Sequence, residues 1–102
     1  MLEEIKSAVE FLSRHIPSHS MTNEQRSTFQ ADLVSRISKR FAEHWHVHNP
    51  MYGNAFRAIT MFQNNLDLDV VNSAEKVGLI SIDQYFPSDL VIWIDPHQVS
   101  YR

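Results

Sequence analysis

The stretch LVIWID, residues 90–95, leads through Pro96 into VSY at residues 99–101, and this stretch decides the fold. Branched and aromatic residues dominate LVIWID, as is typical of a β-strand. The pair Asp95 and Pro96 predicts a turn, so VSY predicts the start of a returning, antiparallel strand. Side chains alternate across a strand, and we expect one aliphatic face to enter the core, with Leu90, Ile92 and Ile94. The opposite face carries Val91, Trp93 and Asp95.

Trp93 is the candidate interaction residue of this strand. If its face is open, a partly exposed tryptophan is a natural anchor for a protein partner. If both faces of the sheet are covered, Trp93 belongs to the core instead. Alternation alone leaves both interpretations open. Phe56, in the predicted strand AFRAITMF at residues 55–62, raises the same question.

Two helices are predicted before the strands. Apolar residues at three- and four-residue steps predict a first helix that Pro17 would stop, and they are Leu2, Ile5, Ala8, Val9, Leu12 and Ile16. A second apolar stripe predicts a helix from about residue 23 to the mid-forties, with Phe29, Leu33, Ile37, Phe41 and Trp45 one turn apart. Thr22 and Gln25 have the spacing of a capping box at its start.

The middle of the chain predicts short elements. Asp67 or Asp69 caps a short helix that Gly78 closes. Ser81 and Gln84 repeat the capping-box spacing before another short helix. The expected architecture is an α+β domain over residues 1–102, with two long N-terminal helices and short helices packed on a small antiparallel sheet. Because the sequence stops as the last strand begins, we expect this single domain to lack its final strand.

Composition excludes several classes of function. The chain has 102 residues, no cysteine and a net charge of -3, which argues against strong binding to a nucleic-acid backbone. No segment approaches the apolar length of a membrane span, and the acidic N-terminus is unlike a secretory signal. No small-residue elbow surrounds a serine, and two glycines cannot build a phosphate-binding loop. We therefore expect no enzyme and no cofactor.

Two charged clusters have both a chemical and a structural interpretation. Asp67 and Asp69 have the residue type of an acid/base pair, but their place before a helix favours capping. Arg36, Lys39 and Arg40 lie at helical spacing and could meet phosphates. A solvated polar face opposite the apolar stripe explains them better.

The stretch HWHVHNP, residues 44–50, suggests a metal site. In an extended segment His44, His46 and His48 would share one face and could hold one ion. We instead expect His44 and Trp45 on the last turn of the second helix, and Pro50 discourages its extension. Histidine near a helix C-terminus also interacts favourably with the helix dipole. The sequence therefore predicts no metal site here.

Residues 87–102 resemble the second signature box of the BTG/Tob antiproliferative proteins. The matching positions are Pro87, Asp89, Leu90, Trp93, Asp95, Pro96, Val99, Ser100 and Tyr101. Residues 43–59 resemble the first box, with matches at His44, Trp45, Pro50, Gly53, Phe56, Arg57 and Ile59. The resemblance covers nearly the whole chain, and it assigns His44 and Trp45 to the family's own motif. The alternation of histidines is then accidental.

The resemblance implies a fold and a function. The fold is the BTG/Tob domain, with helices on an antiparallel sheet. The function is that of a non-enzymatic adaptor that binds the Caf-type nuclease subunit of the Ccr-Not deadenylase and recruits it to selected mRNAs. RNA-binding proteins would deliver those mRNAs, without direct nucleic-acid or membrane binding. The outcome would be translational repression in proliferation or cell-fate control, in the cytoplasm and also the nucleus. The family's contact residues match Phe56, Trp93 and Asp95.

Several positions depart from the family pattern. They are Tyr52, Asn54, Ala55, Ala58, His97 and Gln98. These positions rim the expected contact surface, so we expect nuclease binding to be weakened or rewired. The pattern is that of a divergent member, similar to nematode Tob-like regulators of germ-cell fate. The alternative is a self-assembling interaction domain that uses the box surface to form a dimer or larger homo-oligomer. A histidine-metal hydrolase ranks last.

Overall fold

A computed structural model describes residues 1–42, 45, 57–62 and 64–101. Two long helices, α1 (Leu2–Ser13) and α2 (Asn23–Phe41), pack against each other. The predicted first helix ran to Ile16, but α1 ends earlier because its last turn tightens. There the backbone N–H groups of His15 and Ile16 donate to carbonyls three residues back, each at 3.1 Å. Ile16 is nevertheless buried.

The capping box at the start of α2 is confirmed. Thr22 Oγ1 accepts from the Gln25 backbone N–H at 3.0 Å, and Gln25 Oε1 accepts from the Thr22 N–H at 2.8 Å. The other end of the helix was predicted wrongly. α2 ends at Phe41, so Trp45 lies beyond the helix and not on its last turn. The apolar stripe extended past the helix because Trp45 still packs against the core.

Four strands form one antiparallel sheet in the described part of the chain. They are β1 (Ala58–Phe62), β2 (Asn65–Leu66), β3 (Asp89–Asp95) and β4 (Gln98–Tyr101). Their order is β2-β1-β3-β4. The hairpin of β3 and β4 is confirmed, with Asp95 opposite Gln98. The short β2 was not predicted, and β1 begins at Ala58 after a bend at Arg57. Residues 55 and 56 of the predicted strand lie outside the described residues.

The helix α3 (Leu68–Lys76) has the predicted signals at both ends. Asp67, not Asp69, is the N-cap, and its Oδ1 accepts from the Asp69 N–H at 2.9 Å. Gly78 has a φ of +81°. It closes the helix with a Schellman motif, in which the Leu79 N–H donates to the Ala74 carbonyl at 2.9 Å. Glycine adopts this left-handed conformation with less strain than other residues, so it suits this position.

The second predicted capping box is wrong. Ser81 precedes a 3₁₀ helix (Ile82–Tyr85), but its side chain makes no capping hydrogen bond. Its φ of +53° turns the backbone into the left-handed region. The Gln84 Nε2 then donates to the Ser81 carbonyl at 2.9 Å instead of accepting from its N–H.

The core lies between the helices and one face of the sheet. The predicted aliphatic face of β3 is confirmed as core, since Leu90, Ile92 and Ile94 are buried. They meet the buried stripes of α1 and α2. No described helix is long and apolar enough to cross a membrane. The opposite face of the sheet carries Trp93, and it positions the candidate site.

Candidate functional site

Trp93 lies at the centre of the outer sheet face, which we define as the face opposite the core. Its cross-strand neighbours are Ala58 on β1 and Ser100 on β4. Directly opposed residues in an antiparallel pair share a face, so all three side chains point the same way. Both neighbours are small, and Trp93 is half-buried. Of the two interpretations that the strand alternation left open, the structure agrees with a partly exposed Trp93 and not with a core residue.

The outer sheet face continues along β1. Thr60 lies opposite Val91, and Phe62 lies opposite Asp89. Phe62 is 41% exposed, an unusual position for a large apolar side chain. Sequence reasoning missed Phe62, although the alternation of Ala58, Thr60 and Phe62 was enough to find it.

Asp95 ends the strand that carries Trp93, but its carboxylate is largely covered. Its side chain is 15% exposed, and its Oδ1 accepts from Arg57 Nη2 at 2.7 Å. Arg57 itself is 0% exposed. Its Nε donates to the Ile94 carbonyl at 2.8 Å, and its own carbonyl accepts from the Ile94 N–H at 3.0 Å. Asp95 is therefore a partner of a buried arginine as well as a surface carboxylate.

Trp45 contacts the same buried arginine, Arg57, through its indole ring. The Arg57 guanidinium carbon lies 5.6 Å from the centre of the Trp45 ring, within the range of a cation–π contact. The ring packs against the core. Trp45 of the first motif thus contacts Arg57, and Arg57 in turn contacts Asp95 of the second motif. We call these three residues the Arg57 cluster.

The turn after Asp95 is held from outside the sheet. Pro96 is buried, and His97 has a φ of +66°, as expected of the third residue of a type II turn. The His97 backbone N–H donates to Glu4 Oε2 on α1 at 2.8 Å. Partial burial raises the pKa of Glu4, but hydrogen bonds from the backbone of His97 and of Glu4 itself outweigh it and leave the pKa lowered. Glu4 is therefore ionised at neutral pH and anchors the hairpin to α1.

Other predicted site residues lie outside the described residues. They are His44, Pro50, Gly53 and Phe56, together with His46 and His48 of the rejected metal site. Within residues 1–42, 45, 57–62 and 64–101, no group of three histidine, aspartate or glutamate side chains is placed to hold a metal ion.

The two charged clusters singled out from the sequence, one acidic and one basic, form ion pairs that join two helices. Asp67 and Asp69 each accept from Arg40 Nη1 at 3.0 Å, so Arg40 joins α2 to the start of α3. The expectation that Arg40 is merely solvated is therefore wrong. Arg26 was not singled out from the sequence. It donates to the carbonyls of Ser13 and Ile16, at 2.6 and 2.8 Å, and caps the end of α1.

Comparisons with known proteins place this arrangement in a family. The family model described as BTG family matches residues 1–102. Protein BTG1 of Gallus gallus is 33% identical over 105 residues, covering 100% of this chain and 61% of the relative. Protein BTG2 of Homo sapiens is 33% identical over 105 residues, with 66% of its length covered. The chain thus spans 61% of the length of the BTG1 relatives it matches.

A solved structure agrees with the sequence comparison. The BTG/Tob domain of C. elegans FOG-3 superimposes with a TM-score of 0.88 at 25% identity, covering 100% of this chain and 74% of that one. The α+β architecture inferred from the sequence is therefore the BTG/Tob fold. The chain, with its Arg57 cluster joining the two motifs, belongs to the BTG family as a divergent BTG/Tob member.

Proposed function

We propose that this protein is a non-enzymatic, antiproliferative type of adaptor whose outer sheet face binds the Caf-type nuclease subunit of the Ccr-Not deadenylase. Binding would bring poly(A) shortening to mRNAs that RNA-binding proteins select, in the cytoplasm or the nucleus. The observation that carries the proposal is the half-buried Trp93 on an outer sheet face of a BTG-family domain. An aromatic residue that lies partly exposed outside the core is a typical anchor for a protein partner.

The composition of the outer sheet face supports a protein partner. Trp93, Val91 and Phe62 supply apolar area, while Thr60 and Ser100 supply hydrogen-bonding groups around them. Interfaces are typically built in this way, with aromatic residues at the centre and polar groups at the rim. The negative net charge disfavours direct binding to RNA, so mRNA would be reached through a partner.

The Arg57 cluster supports the proposal by fixing the strand that presents Trp93. Arg57 holds both the carbonyl of Ile94 and the carboxylate of Asp95, the two residues that follow Trp93. A buried arginine with two such bonds leaves little freedom to the end of β3. A rigid strand binds more tightly because less conformational entropy is lost on association.

The test is calorimetric titration of the domain with the purified Caf-type nuclease subunit. We expect Trp93→Ala to weaken binding by about 2 kcal/mol or more, roughly thirtyfold. Leu68→Ala is the matched control, because Leu68 is an exposed aliphatic residue on α3 and not on a strand of the sheet. Failure of the wild-type domain to bind would sink the nuclease assignment. Equal binding by Trp93→Ala would assign the contact to another surface.

The alternative use of the outer sheet face is self-association, and the exposed Phe62 favours it. Sedimentation equilibrium separates the two functions. A dimer that dissociates in Trp93→Ala and excludes the nuclease subunit would identify the face as a homo-oligomer interface. A monomer at high micromolar concentration that binds the nuclease would support the adaptor.

The biological consequence requires a second assay. The domain, tethered to a reporter mRNA in cells, should shorten the poly(A) tail, and Trp93→Ala should abolish most of this effect. Tail shortening that persists in this variant would show that the outer sheet face is not the route of recruitment.

A further inference from the structure

A second surface lies at the β2 end of the molecule, on the core side of the sheet. Two clefts of about 190 and 140 Å³ adjoin there, and both are lined by Leu66 and Asp83. We call them together the β2 groove. One cleft continues along Phe86 and Pro87 beside the 3₁₀ helix. The other continues along Leu79 and Ile80 beside α3.

The α3 side of the β2 groove has an apolar floor with an exposed aliphatic lip. Leu66 and Leu79 are partly buried against the core, whereas Ile80 is 74% exposed. Ser81, the next residue, has the strained φ of +53°. A serine in the left-handed region costs free energy that the fold must offset, and such strain is often found at functional sites. The strained Ser81 directly follows Ile80, the residue whose side chain is exposed at the lip of the groove.

The rim of the β2 groove is acidic. Glu75 and Asp83 line it, and no lysine, arginine or histidine lines either cleft in the described part of the chain. The neighbouring cation Lys76 is engaged elsewhere, since its Nζ lies 3.1 Å from Asp32 Oδ1 on α2. The charged side chains that line the two clefts are therefore both negative. A partner for this groove needs both apolar side chains and positive charge.

We propose that the β2 groove binds a short basic peptide segment that inserts one or two aliphatic side chains between Ile80 and the 3₁₀ helix. Lysine or arginine residues of the segment pair with Asp83 and Glu75 at the rim. Each cleft has the volume for about one aliphatic side chain, so the segment is short. An anionic membrane surface is disfavoured because the rim has the same sign of charge.

The β2 groove and the outer sheet face can be occupied together. Leu66 lies opposite Met61, whose buried side chain marks the core side of the sheet, whereas Trp93 is on the opposite side. A partner in the groove would thus leave Trp93 free. The inference does not depend on which protein binds the outer sheet face, and it supplies the second contact that an adaptor needs.

The test uses a fluorescein-labelled octapeptide of alternating lysine and leucine, with binding followed by fluorescence anisotropy. We expect Ile80→Ser and Asp83→Asn each to weaken binding by about tenfold, the loss typical of an interface anchor. An octapeptide of alternating glutamate and leucine should not bind. Binding of the lysine peptide should also weaken as salt rises from 50 to 300 mM, on the order expected for screened surface charges.

Matched variants distinguish binding in the β2 groove from nonspecific binding of the peptide to exposed apolar or acidic residues elsewhere. Leu68 is 74% exposed, the same fraction as Ile80, but does not line the groove, so Leu68→Ser should bind as the wild type does. Glu24→Gln removes one negative charge at the start of α2 and should also bind normally. Equal loss in all four variants, or no loss in any, would overturn the proposal. Weaker binding by Trp93→Ala would overturn the separation of the two surfaces.

Discussion

Arg57 Nη2 and Asp95 Oδ1 are 2.7 Å apart, and this pair joins the two motif segments of the chain. Arg57 is fully buried, and the Asp95 side chain is 15% exposed. An ion pair in this setting holds its elements together mainly because neither charge tolerates the loss of the other. The residue pattern that marks the family is therefore partly structural. Trp45, Arg57 and Asp95 form contacts that hold the end of β3. Trp93 lies on the same strand, with its side chain on the outer sheet face.

Removing the buried arginine should be costly. We expect Arg57→Ala to lower the free energy of unfolding by about 3–5 kcal/mol, because the largely covered Asp95 carboxylate would lose the arginine that it pairs with. Urea denaturation at neutral pH measures the change. Arg14→Ala is the control, since Arg14 forms an exposed pair with Glu10 at 3.6 Å and should contribute less than about 1 kcal/mol. Similar losses in both variants would contradict the structural role of Arg57.

The two faces of β3 should respond differently to truncation. Ile92 is fully buried, so Ile92→Ala should cost about 2–5 kcal/mol of stability. Trp93 is half-buried between small neighbours, so Trp93→Ala should cost about 1 kcal/mol. Thermal unfolding of both variants measures the contrast. A larger loss for Trp93→Ala than for Ile92→Ala would mean that the indole is part of the core.

Acid should weaken the contact between α2 and α3 through Asp32. Partial burial raises the pKa of Asp32, but hydrogen bonds from Arg36, Ser73 and Lys76 outweigh it and lower the pKa from 3.8 to about 2. A carboxyl group with a lowered folded-state pKa stabilises the protein above its unfolded value of 3.8. That contribution is lost as the pH falls through about 2.

The measurement is the urea midpoint between pH 6 and pH 2. Asp32→Asn should be less stable than the wild type at pH 6, and its stability should fall less steeply below pH 4. Glu24→Gln changes an exposed acid in the first turn of α2 and serves as the control. Identical acid profiles for the wild type and Asp32→Asn would refute the role of Asp32.

Asp67 should contribute in two separable ways. As the N-cap of α3 it accepts from the Asp69 N–H, and as an anion it pairs with Arg40 at 3.0 Å. Asp67→Ala removes both contributions, and the lost cap alone should cost about 0.5–2 kcal/mol. Asp67→Ser keeps a capping oxygen and removes only the charge. We expect the serine variant to lie between the wild type and alanine in thermal midpoint, and a serine variant no better than alanine would argue against capping.

Local physics made much of the fold predictable. The Thr22 capping box, the Asp67 cap and the Gly78 stop each depend on groups within about five residues, so their spacing in the sequence is sufficient. The alternation in β3 separated the core face from the outer face in the same way, because it follows from strand geometry alone. The capping box predicted at Ser81 was wrong because the residue spacing matched the motif, whereas the Ser81 backbone adopts a left-handed φ.

The family and the α+β fold were determined by the sequence itself, through motif residues and through periodicities that each element carries locally. Tertiary structure alone decided what covers each face. It ended α2 at Phe41 although the apolar stripe continued to Trp45. It also joined Arg57 to Asp95 across 38 positions and left Trp93 half-buried on its face. The physical reason is that periodicity shows which side chains share a face, whereas exposure and long-range ion pairs depend on the elements that pack there.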